Sequence, residues 1–301
     1  MGIIYKIMRR LASALPSTQK QVADIECQLK DLRNILIFNN PVERVPKAAG
    51  KLRLLQEGNA ALLRLFARRM ESAGLSFWLD YGTLLGAVRH SGFVPWDDDL
   101  DVSMIRPDFE KLLKSLPDLF PKDEGFVWQL NAFGFLQIGY EGTPLNVDIY
   151  PYYFHALSYS EECRRDIEKG MLRIKKLVRY KKRLLSKTYS DEEIQELIRT
   201  YIPVGTKQSG EGEPAIFLSP SIYFTKNTVL PYDAIYPLKK MEFEGTEYNV
   251  PNHARQYLSF MFGDYMAYPP KVGHQHAHME EIVKRMPYED AVNRFIDEYG
   301  E

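Results

Sequence analysis

The chain has 301 residues, 45% of them apolar, and a formal net charge of −1. That length and apolar content suffice to bury a sizeable core and exclude a disordered chain, and the near-neutral balance removes the overall charge signature of a nucleic-acid binder. The two cysteines, Cys27 and Cys163, stand far apart, which excludes a disulfide framework and points to a reducing compartment.

At the start of the chain, Met1 to Leu11 mixes apolar and basic residues without an apolar run long enough for a signal peptide or a membrane span. A cytoplasmic protein is therefore expected. For this stretch the alternative is a short amphipathic helix lying on an anionic membrane surface, which would place the protein at the inner face of the membrane. Val22, Ile25, Leu29, Leu32 and Leu36 then follow the spacing of a coiled-coil seam. Two readings stay open for residues 18–36: a self-associating helix that makes a homo-oligomer, or a helix packed on its own domain. Asn39-Asn40-Pro41 and Pro46 break the pattern. Residues 1–46 are read as a helical extension and linker, and residues 47–301 as the main domain.

A helix is expected from Lys51 to Ser72, with Leu55, Leu62, Leu63, Phe66 and Met70 at helical intervals and Gly74 as its stop. Phe77 to Asp80 reads as a short strand, Gly82-Thr83 as a turn and Leu84 to Arg89 as a helix. Leu100 to Met104 is a second strand and Pro107 to Leu116 a helix; residues 126–130, 134–140 and 146–150 are further strands. Such a mixture gives an α/β or α+β domain. From Glu161 to Arg199 the pattern becomes helical and strongly basic. This insertion, about residues 160–200, is either a solvated face or a hold on a polyanionic head group or nucleotide. Lys207 to Glu213 reads as a mobile loop.

The chemistry concentrates in Trp96-Asp97-Asp98-Asp99-Leu100-Asp101. Alternate side chains of a strand share a face, so Asp99 and Asp101 are expected to point together while Leu100 and Val102 enter the core. Two such carboxylates repel unless a cation relieves them, and oxygen donors of this kind favour Mg2+ or Mn2+ over zinc. Asp148, between Val147 and Ile149 in another expected strand, completes the cluster if the two strands are neighbours. Asp97 and Asp98 fall in the approach to the strand and are left outside the ligand set. Upstream, Tyr81-Gly82-Thr83 passes from strand to helix, a junction whose free N–H groups and helix dipole suit a phosphate, although Thr83 is also an ordinary helix cap. Arg89 and His90 either engage phosphate oxygens and a leaving group or cap the helix C-terminus. His274, His276 and His278 are too loosely spaced for a zinc site and are read as a loop that brings one histidine to the active site.

Taken together, Leu79 to Val102, with Arg106 and Asp108-Phe109-Glu110, closely resembles the signature of the LicD family. Val147 to Pro151 resembles its third-acid motif, with Tyr150 where that motif often has Phe. Phe243-Glu244-Gly245, Val250-Pro251, Tyr257-Leu258, Phe262 to Met266 and Pro269-Pro270 resemble its C-terminal block. Fukutin and fukutin-related protein, which handle ribitol phosphate, are similar in this region. The resemblance implies an α+β, nucleotidyltransferase-like mixed sheet flanked by helices, behind a helical N-terminal extension. It also implies transfer of a phosphorylated small alcohol such as phosphocholine from a CDP-activated donor to a hydroxyl of a glycan, free or lipid-linked. By motif position Asp99, Asp101 and Asp148 are the metal ligands, and Gly82, Thr83, Arg89 and His90 line the donor pocket. Tyr81 and Trp96, which flank them, are counted with the substrate-binding residues. Transfer of the nucleotide itself, glycosyl transfer and a non-catalytic scaffold are the competing readings.

Overall fold

The computed structural model describes residues 41–130, 135–156, 161–185, 215–218, 229–268 and 288–300, with isolated positions at 25, 193, 196, 197, 200 and 201. Apart from Ile25, the heptad segment lies outside the described residues, as do Lys207 to Glu213 and the three histidines near the C-terminus. Contacts divide the chain into two compact units, Met1–Val45 and Pro46–Glu301. The described part of the first unit is a 3-10 turn at Val42–Arg44.

The second unit opens with α1 (Gly50–Ser72), which buries Leu55, Asn59, Leu62, Leu63, Phe66 and Met70 along one face. It stops where Gly74 takes φ 64°, so that the Gly74 and Leu75 amides turn back to the Glu71 and Met70 carbonyls. Only a residue without Cβ adopts that conformation at no steric cost. Strand β1 is two residues, Trp78–Leu79. It is followed by α2 (Tyr81–His90), β2 (Asp101–Ile105), α3 (Arg106–Leu119), β3 (Phe126–Leu130), β4 (Leu136–Tyr140) and β5 (Asn146–Ala156). These strands make a mixed sheet in the order β1-β2-β5-β4-β3, in which β2 and β5 run parallel and the other neighbours antiparallel. The far half of β5 pairs antiparallel with β6 (Ala215–Leu218), and β6 pairs antiparallel with β7 (Val229–Pro231).

Helix α4 (Glu161–Leu185) realises the first half of the basic segment. It buries Ile167, Met171, Ile174 and Val178, and it exposes Arg165, Lys169, Leu172, Arg173 and Lys176. After a short α5 (Tyr232–Ile235), the hairpin β8 (Lys239–Phe243) and β9 (Thr246–Val250) turns at Glu244-Gly245, both with positive φ. Helices α6 (Ala254–Phe262) and α7 (Glu289–Tyr299) complete the unit. The architecture is α+β, a mixed sheet flanked by helices. Among the described residues no helix is long and apolar enough to cross a membrane.

Two elements differ from their sequence reading. The helix expected from Leu84 begins at Tyr81, because the Asp80 carboxylate accepts the Tyr81 amide and caps it. The strand expected to end at Tyr150 runs on to Ala156. Proline cannot donate to a ladder and so reads as a stop, yet Pro151 sits in register opposite Met104 and the strand continues through it.

Candidate active site

Parallel pairing of β2 with β5 sets Asp101 opposite Asp148. The Asp148 amide also donates to the Leu100 carbonyl at 2.8 Å, which extends the ladder one residue ahead of β2. Directly opposed residues share a face of the sheet, so the two carboxylates stand side by side while Leu100 and Val102 are fully buried. Asp99 precedes the strand rather than lying in it.

The loop that carries the other acids is held from α1. Gln56 donates to the carbonyls of Val94 and Asp97, at 3.3 and 2.9 Å. Asn59 donates to the Asp98 carbonyl at 2.8 Å and accepts the Asn146 amide at 3.1 Å. Both amide side chains are almost wholly buried. Polar residues on the buried face of a helix are the signal in sequence that would have found them.

Asp97, left outside the ligand set on sequence grounds, belongs to the site. One carboxylate oxygen each from Asp97, Asp98 and Asp99 lies within 4.8 Å of the others, which makes this the trio of metal-capable groups among the described residues. A Cβ added at Gly82 would meet Asp97 Oδ2 at 2.6 Å and Asp101 Oδ2 at 3.5 Å, so both acids face the same bare turn. Burial and the charges of Asp99 and Asp98 hold Asp97 well above the usual carboxylate range. Burial and the charges of Asp99, Asp148 and Asp97 do the same to Asp101. Asp148 is pushed up to about 6, chiefly by burial, against hydrogen bonds from Gln137, Asn146 and Tyr150. Hard oxygen donors forced together against their own repulsion fit a divalent cation that prefers oxygen. Asp97, Asp99 and Asp101, which line one cavity, with Asp148 in register beside Asp101, are the residues that could hold it, while Asp98 is not on that lining.

The expected phosphate seat is differently employed. Thr83 is buried, and its hydroxyl accepts the Asp101 amide at 2.8 Å, while the Gly82 amide donates to Asp101 Oδ2 at 3.2 Å. The helix N-terminus therefore holds an acid of the cluster. Just before it, Asp80 is completely buried and receives the Tyr81 amide, the Ser103 hydroxyl and the Tyr152 and Tyr257 hydroxyls at 2.6 to 3.0 Å. Burial raises its pKa against those four hydrogen bonds. Through them one carboxylate ties α2, β2, β5 and α6 together directly behind the acids. Tyr81 itself takes φ 40°, a left-handed conformation rarely adopted by an aromatic residue. Its ring packs edge-on against Tyr150 at 4.9 Å, and Tyr150 stacks on Phe135.

A cavity of about 650 Å³ opens over the acids, with Tyr81, Gly82, Leu85, Arg89, Trp96, Asp97, Asp99 and Asp101 among its lining residues. Its second wall is Phe262, Asp264, Tyr265, Ala267 and Tyr268, the end of α6 and the turn beyond it. Arg89 joins the two walls: it is buried, donates to the Tyr265 carbonyl at 3.2 Å, and lies 5.8 Å from the Trp96 ring centroid, while Trp96 stacks on Tyr268. Of the nominated residues, Thr83, His90 and Asp148 are not on this lining. Asp148 adjoins it through Asp101. The second wall lies in a stretch whose sequence gives no sign that it folds back over acids more than 160 positions earlier.

The family described as LicD/FKTN/FKRP, nucleotidyltransferase domain, matches residues 74–185. The chain is 37% identical over 89 residues to the human ribitol 5-phosphate transferase FKRP, a match covering 28% of this chain and 18% of that relative. It is 26% identical over 259 residues to the lipopolysaccharide cholinephosphotransferase LicD of Haemophilus influenzae, covering 73% of this chain and 93% of that relative. The Gly82 turn, the acid loop, β2 and Asp148 all fall inside the stretch that matches the LicD/FKTN/FKRP nucleotidyltransferase domain.

Proposed function

We propose that this protein is a metal-dependent phosphotransferase that moves a phosphorylated small alcohol from a CDP-activated donor to a hydroxyl of a cell-surface glycan, forming a phosphodiester and releasing CMP. The observation that carries the reading is the convergence of Asp97, Asp99 and Asp101, with Asp148 in register beside Asp101, on one cavity that also presents Arg89. The names of the relatives, a ribitol 5-phosphate transferase and a cholinephosphotransferase, support the same class of chemistry.

In this reading the four aspartates hold Mg2+ or Mn2+, which when bound offsets the charge of the donor's pyrophosphate. Arg89, fixed by Trp96 and the Tyr265 carbonyl, presents its guanidinium to phosphate oxygens, for which its planar fork is suited. Tyr81, Trp96, Tyr265 and Tyr268 offer ring faces against which a base or a sugar can lie. The buried knot around Asp80 holds the acids at fixed separations, so positioning rather than covalent chemistry supplies most of the acceleration.

The test uses a CDP-alcohol labelled differently in cytidine and in the alcohol, with Mn2+ and surface glycan purified from a host strain lacking the gene. Alcohol label on the glycan and cytidine label in free CMP is the expected result. Cytidine label on the glycan would instead establish nucleotidyl transfer. No release of either label would remove the reading.

A further inference from the structure

In-line transfer of the kind just proposed has a requirement that the aspartate cluster does not meet. The attacking hydroxyl must lose its proton as its oxygen bonds to phosphorus, and a carboxylate committed to a cation is a poor acceptor for it. The carboxylates on the cavity lining are Asp97, Asp99, Asp101 and Asp264. The first three belong to the crowded cluster under the donor. Asp148 is a weak alternative on geometric grounds, because its Oδ1 takes amide hydrogens from both Gln137 and Asn146 and the residue is not on the lining.

Asp264 differs from all of these in setting. It sits on the second wall, in the turn after α6, and is exposed. Among the described residues its carboxylate has no hydrogen bond and no ion pair, whereas its backbone is fixed: its carbonyl accepts the Ala267 amide at 3.1 Å, and the Tyr265 amide bonds back to Gly263 at 2.9 Å. Gly263, at φ 73°, makes the turn that sets Asp264 at its place on the wall. The wall itself is anchored by the Arg89 contact to Tyr265 and by the Trp96–Tyr268 stack. A rigid backbone carrying an uncommitted carboxylate into a reaction cavity is the arrangement a general base needs.

We infer that Asp264 is the general base of the reaction, the group that takes the proton of the incoming glycan hydroxyl. The inference rests on the phosphotransferase reading above. In the step, the acceptor oxygen bonds to the donor's β-phosphorus as its O–H bond breaks toward an Asp264 oxygen. The phosphorus–oxygen bond to CMP breaks with its electron pair leaving on CMP, and Asp264 then releases the proton to solvent. The products are the alcohol-phosphoryl glycan, CMP and one proton.

The experiment compares the full-length chain with Asp264→Asn, which keeps size and polarity but cannot accept the proton. Turnover, donor KM and Mn2+ affinity are measured with CDP-choline and CDP-ribitol as donors and with the glycan preparation described above. The expected result is a fall in kcat on the order of 10²-fold or more, with donor KM, Mn2+ affinity and thermal midpoint unchanged. Turnover within about threefold of the parent chain would overturn the assignment. So would a parallel loss of Mn2+ affinity, which would move Asp264 into the metal set. If the parent chain itself transfers from neither donor, the functional reading fails and this assignment fails with it. Transfer by the parent and by Asp264→Asn alike sinks the base alone.

Discussion

Two groups of carboxylates adjoin in space, the Asp80 amide donating to the Asp101 carbonyl at 3.0 Å, and they are built on opposite principles. Asp80 has no exposure and four hydrogen-bond donors around it, so its charge is shared out among an amide and three hydroxyls. Asp97 and Asp101 both meet Gly82, Asp99 adds its charge to each, and Asp101 finds one backbone donor at the turn. Burying a charge is tolerated when its lone pairs are satisfied and is unfavourable when its neighbours are like charges. The first arrangement is complete in the protein alone. The second would be completed by a bound cation, as the proposed function requires.

Neutralising one acid of each kind separates the two arrangements. Asp101→Asn is expected to lower transfer by about 10³-fold, the scale of one preorganised electrostatic contact, while the metal-free protein keeps or gains stability because a repulsion has gone. Parallel turnover and urea-denaturation measurements check both halves, and a large loss of stability would contradict the cluster's description. Asp80→Ala is expected to act on the fold first, costing about 4 kcal/mol in urea denaturation, since it removes a helix cap and leaves three buried hydroxyls without their acceptor, and to lower transfer through the loosened acids.

A methyl at position 82 probes the space between the acids. Gly82→Ala places Cβ 2.6 Å from Asp97 Oδ2, so that carboxylate must move. The expected effect is a loss of turnover on the order of 10²-fold, with weakened Mn2+ binding read by calorimetry and little change in fold stability.

The smallest effect is a pH slope. Asp97, Asp101 and Asp148 have folded-state pKa values raised above their unfolded values, so the folded chain keeps protons that the unfolded chain has lost. Stability of the metal-free protein is therefore fully present below about pH 4, the unfolded carboxylate range. It falls as pH rises through the folded values, about 6 for Asp148. The slope is about 1.4 kcal/mol per pH unit for each proton released. Mn2+ at 100 times its Kd should restore about 2.7 kcal/mol at neutral pH and flatten the slope. A metal-free midpoint that rises with pH across this range would count against the mutual repulsion.

Much of the site was legible from the chain itself. Period-2 alternation sends Leu100 and Val102 into the core and leaves Asp101 beside them, though not Asp99, which precedes the strand, and an acid between Val147 and Ile149 calls for an explanation that the Asp101–Asp148 register supplies. What escaped depends on which residues meet in space. Thr83 was read as facing a ligand because a hydroxyl before a helix suits an anion equally well, yet it serves the Asp101 amide. Asp97 falls outside a strand-based ligand set because it precedes the strand, but a loop can aim a carboxylate as firmly as a strand when Gln56 and Asn59 hold its carbonyls. Asp264 and Tyr257 sit too far along the chain for local pattern to bring them to the cavity and to Asp80. No periodicity records that α6 packs beside α2.

The two amides on α1 have a consequence for binding. Gln56 and Asn59 grip the carbonyls of Asp97 and Asp98 from 41 and 39 positions away in sequence, so the acid loop is already ordered before any ion arrives. Ordering a residue takes roughly 1–2 kcal/mol of conformational entropy, and a loop that had to be ordered on loading would subtract that from affinity for each residue fixed. Here the entropy is lost when the protein folds rather than when it binds. Under the proposed function, the affinity for an ion would thus depend on a helix that contributes no ligand, and exchanging Mg2+ for Mn2+ would leave the shape of the site undisturbed.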